Sequence, residues 1–186
     1  MNPCEEFFRA NATNPQKVKL LLLEQDRFLW EKLTASVYSP GILTNQEFVC
    51  RQLIQPVEAT LDGEFTPTAF GDVMNKGLSV NRCSHTSLHE ANSAGLKRVE
   101  EYNTANSDKP ERKYLGLIYF SVSDLRKIQA DSRERACAIY DTGKLDDKSH
   151  ADICLAAADT TANKRSLRAQ LFSAAKRLID LDGWSQ

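Results

Sequence analysis

The stretch Tyr114-Leu115-Gly116-Leu117-Ile118-Tyr119-Phe120 constrains the fold more than any other part of this chain. It is apolar at odd and even positions alike, so a strand built from it has two hydrophobic faces. Such a strand belongs inside a sheet that is covered on both sides. Four other runs of strand length supply neighbours: Phe48 to Ile54, ended by Pro56; Leu78 to Asn81, after Gly77; Ala136 to Tyr140; and His150 to Ala156. The turn-rich loop from Asp141 to Ser149 predicts a hairpin between the last two. Thr66 to Phe70 reads as a further short extended piece, after an Asp62-Gly63 turn.

Helical spacing marks the rest. In residues 16–33, Val18, Leu21, Leu22, Phe28, Leu29 and Leu33 share one face, and Leu20, Leu23 and Trp30 lie off it. This predicts one continuous helix covered from two sides, with Leu23 and Trp30 offered to a further contact. Ser87 and Glu90 form a capping box that opens a helix through Leu88, Ala91, Gly95, Val99 and Tyr102. Ser123 is the predicted N-cap of a short helix reaching Gln129. A last helix, Ala162 to Leu181, carries the stripe Leu167, Leu171, Ala174, Leu178 and Leu181. The turn Ser39-Pro40-Gly41 sets a boundary. The expected organisation is an N-terminal helical extension (residues 1–45) followed by an α+β domain (residues 46–186) with at least four short strands and two main helices.

Charge narrows the partners. Lys and Arg total 24 against 25 Asp and Glu, a net charge of −1. That balance argues against coating nucleic acid or an anionic membrane by bulk charge. The apolar run Leu20 to Leu23 is far too short for a membrane span. The opening MNPCEEFF lacks the basic start of a secretory leader, and the five cysteines are odd in number with no CxxC. Reduced thiols and a cytoplasmic location are the expectation.

Several residues bear on chemistry. Arg51 and Arg82 fall in or beside predicted strands, where an arginine needs a carboxylate, a phosphate or solvent. His150 opens a strand and titrates near neutral pH. If Arg51, Arg82, His150 and the hydroxyl of Thr66 met in one cleft, they would form an anion pocket. Cys83, His85 and His89 resemble a metal-ligand set, but the Ser87 cap places His85 outside the helix, so no metal is expected. The acidic group Asp141, Asp146, Asp147 and Asp152 reads as a solvated hairpin. Lys164, Arg165, Arg168 and Lys176 flank the last helix, with Phe172 and Ile179 among them, a pattern suited to an acidic partner or nucleic acid. No GxxxxGK[ST], GxGxxG or GxSxG motif occurs, and no cofactor is expected.

The order Arg51, Pro56, Asp62-Gly63, Thr66-Pro67-Thr68-Ala69-Phe70, Leu78-Ser79-Val80, Ile139-Tyr140-Asp141 and His150-Ala151-Asp152-Ile153 resembles a group of small bacterial proteins. They share an arginine strand, an S-S-x-x-F segment, an LSV strand and a late HA-x-[IV] strand before a basic helix. The resemblance covers residues 48–180 and implies an α+β domain of bacterial origin, with no activity attached. Thr66 to Phe70 stands where the group has its serine pair, and Ser149 where it has proline. The leading functional expectation is an accessory or interaction subunit of a bacterial cytosolic system, of the toxin-linked or antiphage kind. Its protein partner would be encoded nearby and be met by Leu23, Trp30, Arg165, Arg168 and Phe172. The alternative is a small enzyme or binding protein for a nucleotide or phosphorylated ligand, acting through the Arg/His cleft. That order is loosely similar to ADP-ribosyl-transfer folds, but no matching catalytic glutamate is present.

Overall fold

The computed structural model describes residues 1–177. Helix α1 (Pro3–Ala10) is opened by Asn2, whose side chain accepts a hydrogen bond from the Glu5 amide at 3.0 Å. Then come α2 (Lys17–Leu21), β1 (Phe48–Gln55), β2 (Leu78–Arg82), α3 (Leu88–Ala105), β3 (Lys113–Ser121), α4 (Val122–Lys127), β4 (Cys137–Tyr140), β5 (His150–Leu155), α5 (Thr161–Ala174) and a two-residue β6 (Lys176–Arg177). The strands form one sheet in the order β4-β5-β2-β1-β3-β6, with every pairing antiparallel. The chain is an α+β protein, and no described helix is long and apolar enough to cross a membrane.

Register sorts the strand residues onto two faces. Leu78 pairs with Ile153, and Val80 with Ala151. Their side chains lie on the face covered by α4, α5 and a 3-10 helix at Pro67–Met74, where Phe70 meets Phe120 edge to face at 5.9 Å. On the opposite face Ser79 pairs with Asp152 and Asn81 with His150. Two separate covers leave that face open at its centre. Over β1 and β3 lies α3, where Gln52 Nε2 donates to the Ala91 carbonyl and the Tyr114 hydroxyl donates to Asn92. Gly95 is required there, because a Cβ at that position would stand 2.3 Å from the Tyr114 ring. Over β4 lies α1, where Phe8 stacks on Tyr140 with ring centroids 4.8 Å apart.

Four sequence expectations need correction. Residues 16–33 are not one helix. The chain turns after Leu21 and forms only a 3-10 turn at Leu29–Lys32. A straight helix apolar all round could not bury Leu21 and Trp30 in the same core. The break lets both do so, and the Tyr140 hydroxyl holds it by donating to the Arg27 carbonyl at 2.8 Å. Thr66 is extended, but Pro67 starts a 3-10 helix that buries Ala69, Phe70 and Val73. The cap of α4 is Ser121 rather than Ser123, because the helix starts where β3 ends. Finally, α5 stops at Ala174, where Ala175 turns extended and Lys176 pairs with Tyr119 of β3. Leu178, Ile179 and Leu181 lie outside the described residues.

The first 45 residues share a core with the sheet. Cys4, Phe8, Val18, Leu21, Trp30 and Leu43 belong to the same contiguous apolar cluster as Ile153, Phe120 and Leu167. The capping box of α3 forms as the sequence implies, with Ser87 and Glu90 bonded reciprocally.

Candidate functional site

The open centre of the polar face is the floor of a cleft of about 800 Å3. Its walls are the end of α1, the turn before α2, the segment around Ser36, and the β4–β5 hairpin at Thr142–Leu145. The hairpin wall is pinned by the Ser36 hydroxyl, which donates to the Gly143 carbonyl. Gly143 fits because a side chain there would press on the carbonyls of Tyr38 and Lys148, at 3.0 and 3.1 Å.

On the floor, Lys17 Nζ bonds Asp152 Oδ2 at 2.7 Å, with both side chains almost fully buried. Ser79 Oγ is 3.5 Å from the other oxygen, Oδ1, and His150 Nε2 stands 4.0 Å from that same oxygen. Gly77 carries a positive φ of 87°, and a Cβ there would meet Asp152 Cγ at 3.1 Å and Cys154 Sγ at 3.2 Å. Only glycine gives the backbone this approach without strain.

His150 is 7% exposed. Its Nδ1 lies 3.2 Å from the Thr142 carbonyl and 2.9 Å from the Thr142 hydroxyl. A carbonyl only accepts, so it is paired in the tautomer with hydrogen on Nδ1, in which Nε2 presents a lone pair, whereas the nearer hydroxyl can pair with either tautomer. Nε2 makes no hydrogen bond to any described residue. Burial pushes the imidazole pKa below its ordinary value, as does Lys144, against the opposing pull of Asp152, Asp147 and the Thr142 carbonyl. The ring is therefore neutral at pH 7.

Electrostatically the cleft departs from the whole chain. Its lining carries four cationic side chains, Arg9, Lys17, Lys76 and Lys144, against the carboxylates Glu5 and Asp152. The cations at the rim are exposed, whereas Lys17 is spent on Asp152. Phe8, Ala35, Val37, Tyr38 and Leu145 add apolar surface.

Of the four residues expected to converge on an anion, only His150 lines this cleft. Arg51 points to the other face, where it pairs with Glu58 and donates to the Ser79 carbonyl at 2.9 Å. Arg82 is 3% exposed and held by Glu47 and Asp141 at 2.8 and 2.9 Å and by the carbonyl of Gly41. These pairs anchor the 39–47 connection to β2. Burial pushes the Asp141 carboxyl up, opposed by Ser39 and Arg82. The Glu47 carboxyl is pulled down, because the Thr44 amide, Arg82 and Ser84 outweigh its burial. Thr66 bonds Thr68 on a separate surface.

Among the candidate partner residues, Trp30 is buried against Phe7, with rings 5.6 Å apart, whereas Leu23 is 76% exposed. They do not share a helix face. Arg165 is exposed, Arg168 half-buried, and Phe172 rests against Phe65 at 5.1 Å. The acidic group disperses: Asp141 serves Arg82, Asp152 serves Lys17, and Asp147 accepts from Asn81 and Ser149. His85 and His89 are both exposed. Among the described residues no cluster of three or more His, Cys, Asp or Glu is placed to hold a metal ion. All five cysteines are free, and burial pushes the Cys4 and Cys137 thiols up to about 12, away from reactive thiolate.

Sequence reading missed Lys17, Asp152 and the rim cations. One signal was available. Asp152 sits between Ala151 and Ile153 in a strand whose six residues are all buried, and an acid there requires a buried cation. The comparisons add no relative: no family model, no curated protein and no solved structure matches the chain.

Proposed function

We propose that this chain binds a small anionic ligand, a nucleotide or another phosphorylated compound, in the cleft between α1 and the β4–β5 hairpin. The observation that carries this reading is the charge of the cleft. Exposed Arg9, Lys76 and Lys144 ring an opening of about 800 Å3 in a protein whose net charge is −1. Cations spaced around a concave site focus anions toward it. Arg51 and Arg82 have no part in binding here, since their guanidinium groups are already neutralised.

Calorimetric titration with adenosine 5′-monophosphate, ribose 5-phosphate and inorganic phosphate tests the reading. Saturation at about a hundred times Kd stabilises a fold by about 2.7 kcal/mol, so a thermal-melt shift accompanies binding. Reversing two rim charges in Arg9→Glu/Lys144→Glu is expected to weaken binding at least tenfold, at about 1.4 kcal/mol per tenfold. If no phosphorylated compound binds, or the reversed variant binds as well, the reading fails.

A second reading, an accessory subunit that meets a protein partner, rests on Leu20, Leu23 and Leu29, exposed by 39, 76 and 57% along one short stretch. Its test is reconstitution with the product of the adjacent gene. Leu23→Asp/Leu29→Asp should abolish association and leave cleft titrations unchanged.

A further inference from the structure

Two acceptors face each other at the bottom of the cleft. With its hydrogen on Nδ1, His150 offers a lone pair at Nε2, an atom that has no hydrogen bond to a described residue and is closed to solvent in the free protein. Asp152 Oδ1, 4.0 Å away, accepts among the described residues only a long hydrogen bond of 3.5 Å from the Ser79 hydroxyl. Neither acceptor can satisfy the other, and a buried acceptor with a distant donor or none is costly. The two residues line the cleft floor. A ligand that reaches this point gains by bringing donors.

The charge around the pair selects the donor. Lys17 already neutralises Asp152 through Oδ2, and Lys144 lies close enough to oppose a positive charge on His150. A third cation, whether an ammonium or a metal ion, meets that repulsion, whereas a neutral hydroxyl does not. Two acceptors at this spacing are spanned by the two hydroxyls of a vicinal diol. The exposed rim cations Arg9 and Lys144 face an anionic group on the same molecule, while Lys76 at the rim is paired with Asp72 at 3.3 Å.

We propose that the floor of the cleft recognises the diol of a phosphorylated sugar, with His150 Nε2 and Asp152 Oδ1 accepting one hydroxyl hydrogen each. This rests on the anionic-ligand reading above and names its ligand class. The sugar is either a free sugar phosphate or the ribose of a nucleotide, and the chemistry at the floor is the same for both.

The experiment compares adenosine 5′-monophosphate with its 2′,3′-dideoxy analogue, and ribose 5-phosphate with inorganic phosphate, by calorimetry on the full chain. Each diol-bearing compound should bind at least about tenfold more tightly than its counterpart, since one hydrogen bond to a buried acceptor is worth that much. In His150→Phe, where Asp152 Oδ1 alone remains to accept, the preference should shrink to about threefold, half of the tenfold in free energy, while inorganic phosphate binds as before. Tighter binding of the nucleotide identifies a nucleotide ribose, and equal or tighter binding of ribose 5-phosphate identifies a free sugar phosphate. The 15N resonance of His150 Nε2 in the native protein gives a readout that needs no variant. In the free protein it should report an unprotonated nitrogen, and it should move with the diol compound but not with the dideoxy one. Equal affinity with and without the diol, or a free-state proton on Nε2, would overturn the proposal and leave the anionic-ligand reading standing. Failure of every phosphorylated compound to bind removes both.

Discussion

The two faces of one sheet are built to different rules. Beneath α4 and α5, β2 and β5 present Leu78, Val80, Ala151 and Ile153, each at most 1% exposed. One residue along in the same strands, Ser79, Asn81, His150 and Asp152 present hydroxyl, amide, imidazole and carboxylate. Strand alternation alone permits this contrast. The covers decide its meaning. The apolar face is sealed by a continuous layer, whereas the polar face is covered from two ends by α3 and α1, leaving its centre open. One side of β2 and β5 thus holds the fold together, and the other is available for binding.

The sharpest way to break this contrast is to strip the buried charge. Lys17→Met leaves Asp152 in the floor without its cation, and losing one partner of a buried pair costs about 3–5 kcal/mol. Urea midpoints should show that loss, with much of it recovered in Lys17→Met/Asp152→Leu. The double variant, which lacks the Asp152 carboxylate, should also bind a diol more weakly. A destabilisation below 1 kcal/mol in the single variant, by the same order-of-magnitude comparison, would mean that the pair is solvated.

Gly77→Ala tests the floor through the backbone. A side chain at that positive φ is strained by about 1–3 kcal/mol and presses on Asp152. It should lower the thermal midpoint and also weaken ligand binding. Ile153→Val, one residue from Asp152 but on the sealed face, should cost about 0.5–1.5 kcal/mol and leave binding unchanged. Similar binding losses in the two variants would erase the distinction between the faces.

The smallest expected effect is one of pH. Burial lowers the His150 pKa in the folded protein, with Lys144 acting in the same sense and Asp152 and Asp147 against it. Above the unfolded value of about 6.5 both states are neutral at this ring and its stabilising contribution is complete. As pH falls below that value, the unfolded chain takes up a proton that the folded one resists, so stability declines toward the folded pKa. Chemical denaturation of the native protein and His150→Gln between pH 8 and 5 should differ in slope, with the native protein losing more. Parallel curves would show that the ring is solvated.

Much of the scaffold is legible in the residues. The strand runs at Phe48, Leu78, Tyr114, Ala136 and His150 are short apolar segments bounded by turn formers, and each becomes a strand. Ser87 and Glu90 carry their cap within four residues. The break after Leu21 is different, because local spacing favours a helix there and tertiary burial of Trp30 overrides it. The site is the least legible part. Arg51 and Arg82 look available in sequence because Glu58, Glu47 and Asp141 can be assigned to them only once strand order is known. Lys17 stands between Gln16 and Val18, with Lys19 two residues on, and gives no local hint of Asp152.

The Lys17–Asp152 pair joins residues 135 apart in the chain, and Ser36 meets Gly143 across 107. During synthesis at about 5–20 residues per second, Lys17 therefore waits roughly 7–27 s before Asp152 has even been added. Through that interval its ammonium stays hydrated, and Phe8, Val18 and Leu21 have no sheet to cover them. The nascent chain thus makes this apolar segment well before the carboxylate that fixes it. Any slowing of translation between them lengthens the exposure in direct proportion.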